Sequence, residues 1–185
     1  GTNGDPRVMY NAQAERWIGT AFGSDTKDVQ IAVSDTSDAL GGWKSVKFEG
    51  FNDGRPSMPA DYPTLALDKN AVYIGTNDFS ADAGSSFQFR GTTLNVIPLD
   101  SLCGAGAPTA AGLKQFVTPC CAAGSDFTRG FAIQGVNSTE ATTTGNILAV
   151  SLTDFALTRY DVLDAGTAGA TRTPSVMLGS PYTFN

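Results

Sequence analysis

Ile31-Ala32-Val33-Ser34-Asp35-Thr36-Ser37-Asp38 is a short β-branched run, apolar at alternate positions, that stops in Ser/Thr/Asp turn chemistry. The pattern returns as Leu94-Asn95-Val96-Ile97-Pro98-Leu99-Asp100-Ser101 and again as Ile147-Leu148-Ala149-Val150-Ser151-Leu152-Thr153-Asp154. The recurrences lie 63 residues (Ile31 to Leu94) and 53 residues (Leu94 to Ile147) apart. Self-similarity at that period points to a propeller or another repeat array. A second echo keeps the same order. Trp17-Ile18-Gly19-Thr20-Ala21-Phe22 returns as Tyr73-Ile74-Gly75-Thr76-Asn77-Asp78-Phe79, and upstream Asp5-Pro6-Arg7-Val8-Met9-Tyr10 is answered by Asp61-Tyr62-Pro63-Thr64-Leu65-Ala66-Leu67.

Working outward, strands are expected over 7–11, 17–22, 29–34 and 45–51, joined by tight polar turns as in one propeller blade. A second unit runs over 64–67, 71–77, 92–98 and 113–117, with the alternating 87–90 extending its central hairpin. A third takes 120–124, which is poor strand material, then 130–136, 145–151 and 157–163. The expected fold is therefore all-β: a partial β-propeller of about three four-stranded antiparallel blades, near 5–51, 61–119 and 120–164. Residues 165–185 are read as a linker or the start of a further blade.

The chain has 185 residues, is 41% apolar and carries 21 glycines, which suits one all-β domain. No run of 18 apolar residues occurs, so no helix is expected to span a membrane. No charged–apolar–small leader opens the sequence, and Gly1 in place of Met is read as a processed or excised chain, in line with secretion. Net charge is −6 and the twelve Lys and Arg are scattered, which argues against nucleic acid as a partner. The chain contains no histidine, which removes a His triad, an HExxH zinc site and imidazole acid–base chemistry. Cys103, Cys120 and Cys121 allow one disulfide from Cys103 to either neighbour, closing a loop of about 17 residues worth roughly 3 kcal/mol by loop entropy, or three buried thiols.

Ser37-Asp38-Ala39-Leu40-Gly41-Gly42-Trp43 follows the logic of an Asp-box turn. The Asp38 carboxylate would accept backbone N–H groups, Gly41 would supply positive φ, and Trp43 would plug between neighbouring sheets. Asp5 and Asp61 each open a unit's first strand, where their carboxylates would either cap the strand or offer Ca²⁺ its oxygen ligands; no other cofactor is expected. Trp17, Trp43, Tyr62 and Tyr73 would serve a sugar platform or, more simply, the core between sheets.

At these residues the sequence resembles the secreted, sialidase-like six-bladed β-propellers of bacteria. Asp5–Tyr10 with Arg16-Trp17, Ala32–Asp38 with Gly41-Gly42-Trp43, and Asp61-Tyr62-Pro63 with Val72–Asn77 carry the likeness. It is good over residues 5–80 and holds by strand pattern alone over 90–164. The resemblance implies an extracellular or cell-surface propeller, with Arg7, Arg55, Tyr62 and Arg129 as ligand-binding candidates by position. Sialidases proper use an arginine triad, a Tyr–Glu nucleophile and an Asp acid. That set has no counterpart in this sequence, and the Phe/Tyr-Arg-Ile/Leu-Pro strand of the family is absent.

Three blades leave apolar faces uncovered, so a protein partner, a second copy or a further part of the protein is expected to complete the ring. The leading expectation is a non-catalytic module that contacts a glycan or a protein. A sialidase-like glycoside hydrolase whose site is completed outside this chain, and a structural subunit of a surface assembly, stand as alternatives.

Overall fold

The computed structural model describes residues 3–23, 27–51, 60–80, 88–119, 131–140, 144–150 and 157–178. It is all-β, with three antiparallel sheets that follow one another along the chain. The first sheet is a meander of β1 (Asn3–Asn11), β2 (Arg16–Gly23), β3 (Asp28–Ser34) and β4 (Trp43–Glu49), side by side in that order. The second has β5 (Ala60–Asp61) and β6 (Ala66–Leu67) as a broken first strand beside β7 (Ala71–Ser80), then β8 (Gln88–Pro98) and β9 (Lys114–Pro119). One short helix, α1 (Leu99–Cys103), follows β8.

The third sheet runs β10 (Phe131–Gly135), β11 (Thr144–Val150) and β12 (Leu157–Leu163). Its outer strand is made of β13 (Thr171–Arg172) and β14 (Val176–Met177), both paired with β12. Residues 171–177 thus add to the third sheet, where the sequence reading had a linker or a further unit. The strand expected over 120–124 lies outside the described residues.

The sheets stack in series. Ile18, Val29, Ile31, Val33 and Phe48 of the first pack against Leu65, Leu67, Val72, Ile74 and Ile97 of the second. On the opposite face of the second sheet, Ala66, Tyr73, Leu94 and Val96 pack against Ile133, Ile147, Tyr160 and Val162 of the third. The middle sheet is therefore covered twice, and Ala71–Asp78 and Gly91–Pro98 are buried without interruption. In β12, by contrast, burial alternates residue by residue, as expected of a strand with one wet face. Several polar side chains inside the middle sheet are paired, although Asn77 Nδ2 and Thr92 Oγ1 are buried without a hydrogen-bond partner among the described residues. Asp78 accepts the Thr76 and Thr93 hydroxyls at 2.9 and 2.6 Å, and Asn95 donates to the Ile74 carbonyl at 3.2 Å.

A local repeat underlies the stack. Each sheet's first strand is kinked at one non-glycine residue with positive φ: Asp5 (47°), Tyr62 (52°) and Ala132 (55°). At these points β1 and β10 slip register and the second sheet's first strand breaks. Six residues beyond each kink, a side chain caps the turn into the next strand. Asn11 Oδ1 accepts the Gln13 and Ala14 N–H groups, Asp68 Oδ1 those of Asn70 and Ala71, and Ser138 Oγ that of Glu140.

Aligned on the kinks, Met9 corresponds to Ala66, and their partners on the second strands are Ile18 and Tyr73. Both of these point at the following sheet. The sequence echo had matched Ile18 with Ile74, one residue out of step, and a one-residue slip exchanges the two faces of a strand. The packing is consequently front to back: the front of the first sheet meets the back of the second, and the front of the second meets the back of the third.

Candidate functional site

Two places gather the residues singled out in the sequence. The first lies at the kinks. Burial raises the Asp61 carboxyl above its ordinary range, against the Tyr62 backbone hydrogen bond, and the nearby Asp5 charge adds a smaller push in the same direction. Arg7 sits over the Tyr62 ring, 4.9 Å from its centroid. Asp5, Arg7, Asp61 and Tyr62 thus share the end of the first two sheets where positive φ stores backbone strain, a trait that clusters at binding sites. Among the described residues no group of three His, Cys, Asp or Glu comes together to hold a metal ion. Arg55 and Arg129 lie outside the described residues.

At the other end of the same first strands, the capped turns of all three sheets converge. Asn11 Nδ2 donates to the Asp68 carbonyl, the Leu67 N–H donates to Asn137 Oδ1, and Gln13 Nε2 reaches from the first sheet to the Thr139 carbonyl of the third at 3.2 Å. A cleft of about 200 Å³ opens there between Tyr10, Gln13, Leu67 and Ser138. This convergence was missed in the sequence. Its signal is a polar capping residue at a fixed distance from each kink, with proline following the kink in two of the three units (Asp5-Pro6, Tyr62-Pro63).

The second place is the back face of the first sheet. Tyr10 pairs with Trp17, and Ser34 pairs with Trp43 across the next hairpin; the Trp17 N–H donates to Ser34 Oγ at 2.8 Å. One row across four strands therefore carries three aromatic rings. The Tyr10 and Trp17 rings lie 5.1 Å apart. Both indoles are tethered to the same loop, Trp17 Nε1 to the Ser37 carbonyl at 2.9 Å and Trp43 Nε1 to the Ala39 carbonyl at 3.0 Å. With their N–H groups satisfied, the rings present fixed apolar faces. Val8, Tyr10 and Trp43 remain 60%, 41% and 40% exposed.

The Asp38 turn has the expected capping bond, with its carboxylate accepting the Leu40 N–H at 2.9 Å. Two details differ from expectation. Trp43 lies on the back face of the first sheet and is 40% exposed, not in a sheet–sheet core among the described residues. Gly41 and Gly42 are absent from the positive-φ residues; glycine there gives clearance, because a Cβ at 41 would lie 3.3 Å from the Asp38 carbonyl and one at 42 would collide with the Asp35 carboxylate. Asp35 also pairs with Lys44 at 3.2 Å, on the surface.

Tyr73, read in the sequence as part of a sugar platform or of the core between sheets, lies in that core: it is 1% exposed and donates its hydroxyl to Asp68 Oδ2 at 2.6 Å. Burial first, then the bond to Asp68, pushes the phenol far above its ordinary range. An unfolded tyrosine ionises near pH 10 while Tyr73 keeps its proton in the fold. Stability is therefore expected to fall above about pH 10, by about 1.4 kcal/mol per pH unit from this group. Urea titrations at pH 9 and 11 check this, since Tyr73→Phe should flatten the slope by that amount; an unchanged slope contradicts it. Cys103 carries a free, half-buried thiol raised chiefly by burial, and its possible disulfide partners Cys120 and Cys121 lie outside the described residues.

No protein-family model matches the chain, and no curated protein or solved structure matches it either. Among the described residues, no helix is long and apolar enough to cross a membrane.

Proposed function

We propose that this chain is a binding and assembly module of the β-propeller type, sialidase-like in architecture and extracellular or cell-surface in setting. Its three sheets act as successive blades, and another protein surface completes them. One observation carries the reading. The back faces of the second and third sheets are each covered by the front of the sheet before, whereas among the described residues no sheet lies on the equivalent face of the first, with Val8, Tyr10, Trp17 and Trp43. Contiguous apolar surface of this kind marks an interface. The strained end at Asp5, Arg7, Asp61 and Tyr62 offers a second contact, to a glycan or a protein loop.

Light scattering and binding of an apolar dye test the reading on the 185-residue chain. Association that rises with concentration, with dye displaced as it does, is expected. A cooperative monomer at every concentration, with no dye bound, would end the assembly reading.

A further inference from the structure

The completing surface can be specified further, on the strength of the assembly reading above: we propose that it is the third sheet of a second copy of this chain, docked head to tail. Counted from the kinks, Val8 corresponds to Leu65 and Gly135, and Tyr10 to Leu67 and Asn137. In the second and third sheets these positions meet the front of the preceding sheet. Leu65 and Leu67 share one core cluster with Ile18 and Val33, and a Cβ at Gly135 would run into the Ala66 side chain and lie 3.2 Å from the Tyr73 Cβ. The face built by Val8, Tyr10, Trp17 and Gly19 is therefore shaped to receive a front face of this same kind of sheet.

Among the described residues one front face stands open, that of the third sheet. It exposes Leu163 (39%) and Val176 (60%) around the Arg159–Asp161 ion pair. The two uncovered faces are unlike each other, one a back and one a front. Pairing them repeats the interface that already occurs twice inside the chain. A contact between unlike faces is heterologous, and it closes into a ring only if the rotation allows. Closure is favoured here because the turns of the sheets converge at one end, with Gln13 of the first touching Thr139 of the third. Two copies would bring six sheets together, within the usual range of four to eight blades.

Native mass spectrometry of the full chain with two single variants, Val8→Lys and Leu163→Lys, separates the possibilities, with circular dichroism confirming that each folds. The parent is expected at twice the 19.2 kDa of one chain. Each variant alone should shift the population to single chains, because both ring contacts use both faces. A dimer broken by Val8→Lys and untouched by Leu163→Lys would mean that two back faces meet; the assembly reading would stand and the head-to-tail arrangement would be overturned. A dimer that survives both changes, or a parent that is a single chain throughout, would overturn this inference, and the single-chain result would remove the assembly reading as well.

Discussion

Gly75→Val is expected to destabilise the fold by about 3 kcal/mol, at the upper end of ordinary overpacking. A Cβ at position 75 would run into the Ile133 carbonyl oxygen of the third sheet and lie 2.9 Å from Thr64 Oγ1. Neither can yield easily: one is backbone, and the Thr64 hydroxyl donates to that same carbonyl at 2.6 Å. Gly19, which the sequence echo equates with Gly75, provides the control. A Cβ there meets only the Arg7 carbonyl, at an ordinary 3.5 Å. Gly19→Val should therefore change stability by no more than about 0.5 kcal/mol when measured on dilute single chains. Urea denaturation of the pair checks both numbers. Equal losses at the two positions would show that the echo, and not the kink-based alignment, gives the true correspondence between sheets.

Asp68→Ala should be comparably costly. The carboxylate is buried and does three things: Oδ1 accepts the Asn70 and Ala71 N–H groups at 2.7 and 2.9 Å, and Oδ2 accepts the Tyr73 hydroxyl. Alanine leaves these donors unsatisfied beneath the third sheet, at about 1–3 kcal/mol for each buried group. A loss of about 3 kcal/mol, or roughly 10 °C in melting temperature for a domain of this size, is expected. Asp68→Asn retains an oxygen for the turn and should fall in between. Thermal melts showing less than about 1 kcal/mol lost by the alanine variant would contradict the role given to this turn.

The strands were legible because their signal is local. Alternating β-branched residues and Ser/Asp/Gly punctuation placed β2, β3, β4 and β9 within two residues of where they lie, whereas β1 begins four residues before the expected 7–11 and β5 lies ahead of the expected 64–67. The faces were harder to read. Trp17-Ile18-Gly19-Thr20 and Tyr73-Ile74-Gly75-Thr76 look like one motif. The turn after Asn11 is two residues longer than the turn after Asp68, so the second strands fall out of step by one relative to the echo and their faces exchange. Sequence similarity does not report such a slip; the pairing partner does.

The roles of the aromatics followed the same logic. Tyr73 is core because its counterpart is Ile18, whereas Trp17 is surface because its counterpart, Val72, belongs to the back face. Of the candidate site, Asp5 and Asp61 were legible as residues near the start of a unit's first strand, and Arg7 and Tyr62 as ligand-binding candidates by position. The stacking of Arg7 on Tyr62 was not, since it depends on two kinks facing each other across separate sheets.

The chain's two tryptophans, Trp17 and Trp43, both lie on the back of the first sheet, so their fluorescence reports on that face alone. Acrylamide quenching across a dilution series is the most direct test of the central claim. Ready quenching and red-shifted emission in dilute solution, giving way to protection and a blue shift as the chain associates, is the predicted result. Emission that is buried and unquenched at the lowest concentration, and unchanged at the highest, would show that this face is already covered, contradicting the serial stack of sheets on which the account rests.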